Sequence, residues 1–561
     1  MKTSQQVDEM LIRRYWLFYL VFFLHFSFFT HSLSAQSVLR AGSWLKIGVT
    51  QSGVYRLSQS QLAQLNPTFA TADPRRLRLY GNGGGMLPQP NASSRLADLT
   101  ENAIQVLGEA DGRFDAGDAL LFFGQSPHVI RYDSTARRFT HQLNVYSDTT
   151  FYFLTVGDAP GLRIADKPVG TLVATPTVTT FTDYQFHEQD IWKLPSVHSG
   201  REWLGESMTF DTTQTVPFDV PGIIPTIPLR VTASAVAGAT SPTRFQLQVN
   251  GQVAGVMPMS VVGTYEYGEQ AISRTDTFQT KLTTVTSPVR LALTYQKNGL
   301  SSAQGYLNFL SLQTQRELRQ YDKPLWIRRL AVGQAAVRQA TTSLRIWDIT
   351  NPLAPGNQLY TLFTTQEAGW KMTRTSDYFL FTDAQVLTPL SLATVPNQDI
   401  HAQAAPDLLI VTPAAWREQA ERLAQYRREH DQLSVLIVTT QQAFNEFGSG
   451  QPDPTAIRDM ARYFYQKQPA RFRYLLLFGD ATFNYRNIPG ISSVSPTQLA
   501  NMVPVYESRQ SLHPVKSYSS DDYFGFMGTD EGEWTEDSDG ITGDYKIDIG
   551  LVEGPVHHER I

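Results

Sequence analysis

Apolar and polar positions follow one rule up to about residue 400 and another beyond it. In the first part, apolar residues recur at every second position in short runs separated by turn residues. Ser43-Trp44-Leu45-Lys46-Ile47-Gly48-Val49 and Gly53-Val54-Tyr55-Arg56-Leu57 alternate in this way and predict the two strands of a hairpin. Arg76 to Tyr80 predicts another strand, running into Gly81-Asn82-Gly83-Gly84-Gly85. From Leu162 to Leu318 the pattern is almost wholly β. Arg244 to Val249, then Asn250-Gly251, then Gln252-Val253 predicts a hairpin with a type I′ turn, because both central residues tolerate positive φ. Val289 to Tyr295 and Tyr306 to Leu312 alternate likewise, which points to a β-sandwich. Residues 319–400 read as further strands leading to the next domain.

Past Pro406 the runs become continuous. Asp407-Leu408-Leu409-Ile410-Val411-Thr412 predicts a strand buried on both faces. A helix follows with Trp416, Ala420, Leu423 and Ala424 on one side. Leu433 to Val438 predicts a second strand. Asp453-Pro454 then supplies an N-cap and a first helical residue, with Ile457, Met460, Ala461, Phe464 and Tyr465 at helical spacing. Tyr474 to Asp480 predicts a third strand. This β-α-β-α-β order implies a doubly wound parallel sheet, whose ligands sit at the carboxyl ends of the strands, where Asp480 falls. The fold class is therefore mixed: sandwich-like β-rich domains over 36–161 and 162–400, then an incomplete α/β domain over 401–561.

The N-terminus adds a location. Lys2, Arg13 and Arg14 precede an apolar run from Tyr15 to Phe29, and Ser32-Leu33-Ser34-Ala35 provides small residues before a cut. Residues 1–35 thus predict a cleaved secretory signal, with Met10 as an alternative start. The competing reading, a membrane anchor, has a short run interrupted by His25. The segment implies export, and the expected destination is the outer membrane surface or the extracellular space, a choice the signal itself does not make.

Composition narrows the chemistry. A net charge of −5 without a long basic run argues against nucleic acid as a partner. The sequence contains no cysteine, which removes disulfides, thiolate metal sites and a catalytic thiol from these residues. The Gly81–Gly85 cluster could be a phosphate loop or a turn; it lacks a Walker lysine, and Pro88 and Pro90 stand where a helix should begin. Asp111, Asp115 and Asp118 fit an Asx-rich turn or an oxygen-lined calcium loop without EF-hand spacing. His557, His558 and Glu559 lack the His-Glu-x-x-His spacing, and no Gly-x-Ser-x-Gly elbow follows any strand.

Several segments, in order, carry a family resemblance. They are Asp407 to Thr412, Gln419 to Ala424, Phe444-Asn445-Glu446-Phe447-Gly448-Ser449-Gly450, Asp453 to Asp459, Tyr474 to Asp480 and Ser520-Asp521-Asp522-Tyr523-Phe524-Gly525. Together they resemble the caspase-like domain of the gingipain-type cysteine peptidases, and more narrowly the sortases of type IX secretion. The resemblance implies a His and Cys dyad that forms an acyl-enzyme. It also implies cargo proteins that lose C-terminal sorting domains, other secretion-system components as partners, and lipopolysaccharide as an acceptor.

No catalytic residue can be assigned within this chain. The family's dyad is expected beyond Asp548, and Leu551-Val552-Glu553-Gly554-Pro555-Val556 departs from the family's continuation after Gly550. A frame error near Gly550, or divergence in a partial gene, would each leave a truncated and inactive product. The resemblance also implies calcium, with Asp480, Asp544 and Asp548 as ligands and a carbonyl near Lys546; a solvated acidic patch is the alternative. A non-catalytic exported surface protein that binds partners through its β domains is the competing function.

Overall fold

The computed structural model describes residues 36–172, 177–197, 199–282, 287–364, 366–490, 493–532 and 547–553. The signal segment 1–35, Asp544, Lys546 and the His557–Glu559 run lie outside them.

Strands build the chain up to residue 400. A five-stranded sheet runs in the order Ser391–Val395, Trp44–Val49, Thr150–Val156, Leu77–Tyr80, Glu101–Asn102. It packs on a three-stranded sheet of Gly53–Ser58, Ala119–Gly124 and Gln105–Leu107 across Leu45, Ile47, Leu57, Phe122, Tyr152 and Leu154. The predicted hairpin does not form. Trp44–Val49 pairs with Thr150–Val156 and Ser391–Val395, whereas Gly53–Ser58 crosses to the other layer and pairs with Ala119–Gly124. Alternation fixes which face of a strand is buried, but not which strand lies beside it.

The 162–400 stretch holds two sandwiches rather than one. In the first, the sheet Thr180–Glu188, Gln304–Glu317, Leu229–Gly238, Ile272–Thr280 faces the sheet Thr213–Phe218, Val289–Gln296, Thr243–Val249, Gln252–Met259. Val231, Phe245, Leu247, Leu291 and Leu310 fill the space between them. Its Asn250-Gly251 turn has φ of 49° and 81°, as a type I′ hairpin requires. Residues from 319 onward do not merely lead to the next domain. With Ala165–Lys167 and Thr177–Val178 they form a second sandwich around Ile327, Val337, Ile346, Trp370 and Leu380. The chain then returns Ser391–Val395 to the first sheet.

The final domain is doubly wound, as expected. Its elements are β1 (Leu408–Thr412), α1 (Arg417–His430), β2 (Val435–Thr439), α2 (Thr440–Phe447), α3 (Pro454–Lys467), β3 (Tyr474–Leu477) and β4 (Gly550–Glu553). All strands are parallel in the order β2-β1-β3-β4. Helix α1 lays Ala420 and Ala424 on one face against Leu408, Ile410 and Ile437, while α3 lays Ala456, Ile457, Met460 and Phe464 on the other. Trp416, expected on the buried side of α1, is 43% exposed, because it precedes the helix in a 3-10 turn. Asp453 caps α3 by accepting the Thr455 amide at 2.8 Å, with Pro454 in the first turn.

The N-terminal domain is stitched to this sheet's α2–α3 side. The Asn82 amide donates to Ser449 Oγ at 3.0 Å, the Leu87 amide to Asp453 Oδ2 at 2.9 Å, and Asn144 Nδ2 to Gln451 Oε1 at 2.7 Å. Lys46 keeps part of its stem at the surface, but its ammonium is enclosed. The ammonium donates to the Gly450 carbonyl at 2.8 Å and Asn445 Oδ1 at 3.1 Å, and sits 4.0 Å from the Phe151 ring centroid. With only neutral acceptors around it, burial pushes this amine down from 10.5 to about 7. Between those values the folded protein holds fewer protons than the unfolded chain, so this group makes stability rise with pH across that window. Lys46→Met should flatten the rise, measured as the urea midpoint at about pH 7 and about pH 9.5. An unchanged slope would contradict this reading of Lys46.

Candidate functional site

The sheet's carboxyl edge is the expected site in a doubly wound domain. Asp480 lies there, three residues past β3, exposed, with its carbonyl accepting the Val503 amide at 2.8 Å. Asp548 does not join it. β3 and β4 pair from Tyr474 with Gly550 to Leu477 with Glu553, so Asp548 precedes the amino end of β4. Five residue rises, about 17 Å along the strands, separate the level of Asp548 from that of Leu477, and Asp480 lies further on. A residue before one parallel strand and a residue after its neighbour fall at opposite edges. One calcium ion, with ligands at about 2.4 Å, cannot take both carboxylates. Among the described residues, no three His, Asp or Glu side chains gather closely enough to hold an ion. Asp548 has a local task instead: its Oδ2 accepts the Met527 amide at 3.0 Å, and its own amide donates to the Gly525 carbonyl at 3.1 Å. In the Asp111–Asp118 turn, Asp111 accepts the Arg113 amide two residues on, which is Asx-turn geometry, and Asp118 accepts the Asp115 amide three residues back.

What surrounds the carboxyl edge was not foreseen. The segment after β3 packs against loop 189–205 of the first sandwich and against the N-terminal domain. Trp203 stacks on Phe483 with ring centroids 6.2 Å apart, and Tyr146 meets Tyr485 edge-on at 4.9 Å. Arg486 pairs with Asp148 at 2.9 Å and also with Asp190. Burial pushes Asp190 up to about 6 even with that guanidinium beside it. Glu507 is fully buried and accepts the Gly200 amide at 2.7 Å and the Ser519 hydroxyl. Burial raises its carboxyl above the ordinary value. Lys193 donates to the carbonyls of Gly200 and Glu202 with its ammonium 4.8 Å from the Trp203 ring, and burial lowers it to about 8.

These three regions enclose a cavity of about 720 Å³ lined by Gln89, Tyr146, His141, Trp203, Phe309 and Arg509, among others. Both ring nitrogens of His141 are engaged. Its Nδ1 meets the Tyr184 hydroxyl at 2.6 Å, its Nε2 meets Glu188 at 2.8 Å, and its ring stacks on Phe186 at 4.0 Å. Its walls mix charged side chains, Arg131, Glu188, Asp190, Arg201 and Arg509, with the Trp203 and Phe309 rings. The 561 residues contain no cysteine to serve as a nucleophile beside it.

Residues 401–551 match peptidase family C25. The fold as a whole is similar to the crystal structure of dimeric latent PorU from Porphyromonas gingivalis, with 27% identity and a TM-score of 0.77. That likeness covers 93% of this chain and 48% of the other, so the chain spans about half the length of that protein. A carbohydrate-binding module, CBM36-1, of a xylanase from the hindgut metagenome of Trinervitermes trinervoides covers 24% of this chain and 94% of its own. That module is 10% identical, with a TM-score of 0.13. No curated protein matches the sequence.

Proposed function

We propose that this chain, whose residues 401–551 form a gingipain-family (C25) peptidase domain, is the β-domain and half-sheet portion of a PorU-like sortase of type IX secretion. The single observation that supports this most is the 93% coverage of the chain by one crystal structure, since it includes the β domains as well as the peptidase segment. In this reading the protein is exported through its cleaved N-terminal segment and acts at the outer membrane surface. Cargo proteins lose their C-terminal sorting domains there, and water or an amine on lipopolysaccharide takes the acyl group. Other secretion components hold the enzyme in place.

The chemistry of such an enzyme needs a thiolate and a histidine base. With no cysteine among its 561 residues, this chain is inactive by itself. The same absence favours a second reading, a non-catalytic surface protein that binds partners through its β domains. The nucleotide sequence following codon 561 separates the two. A histidine and a later cysteine, in any frame, support the sortase. Unrelated coding sequence there sinks it and leaves the binding protein.

A further inference from the structure

The Gly81–Gly85 cluster is not a Walker loop, since no helix follows it, but its amides raise a separate question. The turn is fixed at both ends to the peptidase domain, by the Asn82 amide on Ser449 and the Leu87 amide on Asp453. Between them, the amides of Gly83, Gly84, Gly85 and Met86 have no hydrogen-bond partner among the described residues. Gly83 is buried, and a buried amide left unpaired costs free energy unless something occupies it. Gly83 and Gly85 have φ of +83° and +98°, with Gly84 between them on the ordinary side. Such alternation of hand turns successive amides toward a common side, which is how backbone nests hold anions.

The turn lines a cavity of about 380 Å³ together with Phe447, Asp453, Asp459, Arg462 and Tyr463. Both carboxylates there are already engaged. Asp453 accepts the Leu87 and Thr455 amides, and Asp459 accepts Arg95 at 2.6 Å and Arg458 at 3.5 Å. Arg462 has no carboxylate within ion-pair distance among the described residues and uses only Nε, on the Met527 carbonyl at 3.0 Å. Burial holds its guanidinium below the ordinary value, and Arg95 and Arg458 add to this while Asp459 and Glu531 oppose it. A guanidinium placed beside two others gains from an added negative charge.

We propose that the Gly83–Met86 turn and Arg462 form a binding site for a small phosphate monoester. Four amides and a forked guanidinium offer more donors than a carboxylate's two oxygens take up, and they suit the three terminal oxygens of a phosphate. The cavity leaves room for a small organic group on the fourth oxygen. The site joins two domains, so its ligand would tighten their contact, whether or not the peptidase reading holds.

Calorimetric titration of the full chain with inorganic phosphate, glycerol 2-phosphate and acetate, at constant ionic strength, tests this. Saturable binding of glycerol 2-phosphate, at least tenfold tighter than acetate, is expected. R462Q should weaken it at least tenfold, with R462K between the two, provided thermal unfolding shows each variant folded. If R462Q does not fold, the R462K comparison alone decides: an affinity equal to the parent's overturns the role of the guanidinium fork. No saturable heat with glycerol 2-phosphate overturns the site. Binding of inorganic phosphate alone overturns the monoester class, as does acetate binding equally well.

Discussion

Glu446→Ala is expected to destabilise the protein by about 3–5 kcal/mol, the range seen when one partner of a buried ion pair is removed. The Glu446 carboxylate is fully enclosed on α2 and accepts from His401 Nδ1 at 2.6 Å, the Ile400 amide at 2.9 Å and Gln398 Nε2 at 2.9 Å. Truncation would strand these donors in a site that water does not reach. Burial alone would lower the His401 imidazole, but the hydrogen bond and charge of Glu446 outweigh it and hold the imidazole above its ordinary value of 6.5. A raised folded-state value means the imidazolium's contribution is full below about pH 6.5 and is lost as pH rises through the folded value. The alanine penalty, read from urea midpoints, should therefore be larger at about pH 6 than at about pH 8.5. Glu446→Gln keeps the shape without the charge, so its penalty should be smaller overall yet show the same excess at the lower pH. Equal penalties at both pH values would show that His401 is neutral throughout.

The second large effect belongs to Arg458. Its side chain is fully buried on α3, and its guanidinium donates to the Gln89 carbonyl at 2.6 Å and the Gly532 carbonyl at 2.9 Å. It also lies 4.4 Å from the Tyr523 ring centroid. The residue thus ties the N-terminal domain's 88–95 loop to the turn after Phe526, where Asn91 Nδ2 also donates to the carbonyls of Phe526 and Gly528. Arg458→Met keeps the stem and loses the charge-assisted hydrogen bonds, at a cost of about 3 kcal/mol. Arg458→Lys should recover little of this, because a point ammonium cannot reach two carbonyls in a fork. Urea midpoints of the two variants check it; a lysine variant as stable as the parent would mean the fork does not matter.

Both residues show why part of this protein was legible in its sequence and part was not. Asp453-Pro454 and Asn250-Gly251 act through their own backbone geometry, so the helix start and the hairpin could be placed from local chemistry alone. The parallel strands were equally plain, because a strand buried on both faces needs an unbroken apolar run. Arg458 stands at a polar position of an amphipathic helix and reads as solvent-facing. A loop more than 350 residues earlier in the chain and the Tyr523–Gly532 stretch after it bury it together. Lys46 likewise reads as the outward member of an alternating strand, until the α2–α3 loop covers its ammonium. Helix α2 was missed although Thr439-x-x-Gln442, a capping box observed in full, announces it right after β2. Asp480 and Asp548 were grouped from resemblance, and parallel register places them at opposite edges of the sheet. The cavity beside Trp203 needs three regions far apart in sequence, which no local pattern encodes.

Under the proposed function, these 561 residues supply the scaffold, and not the nucleophile, of a cysteine-dependent sortase. The direct measurement is removal of a C-terminal sorting domain from a purified cargo fusion. It compares the 561-residue chain with the protein purified from the cells that encode it, each with and without iodoacetamide. The 561-residue chain should be inert, and the cellular protein should cleave only while its thiol is unblocked. Cleavage by the 561-residue chain in iodoacetamide, or no thiol-sensitive cleavage by the cellular protein, would contradict this.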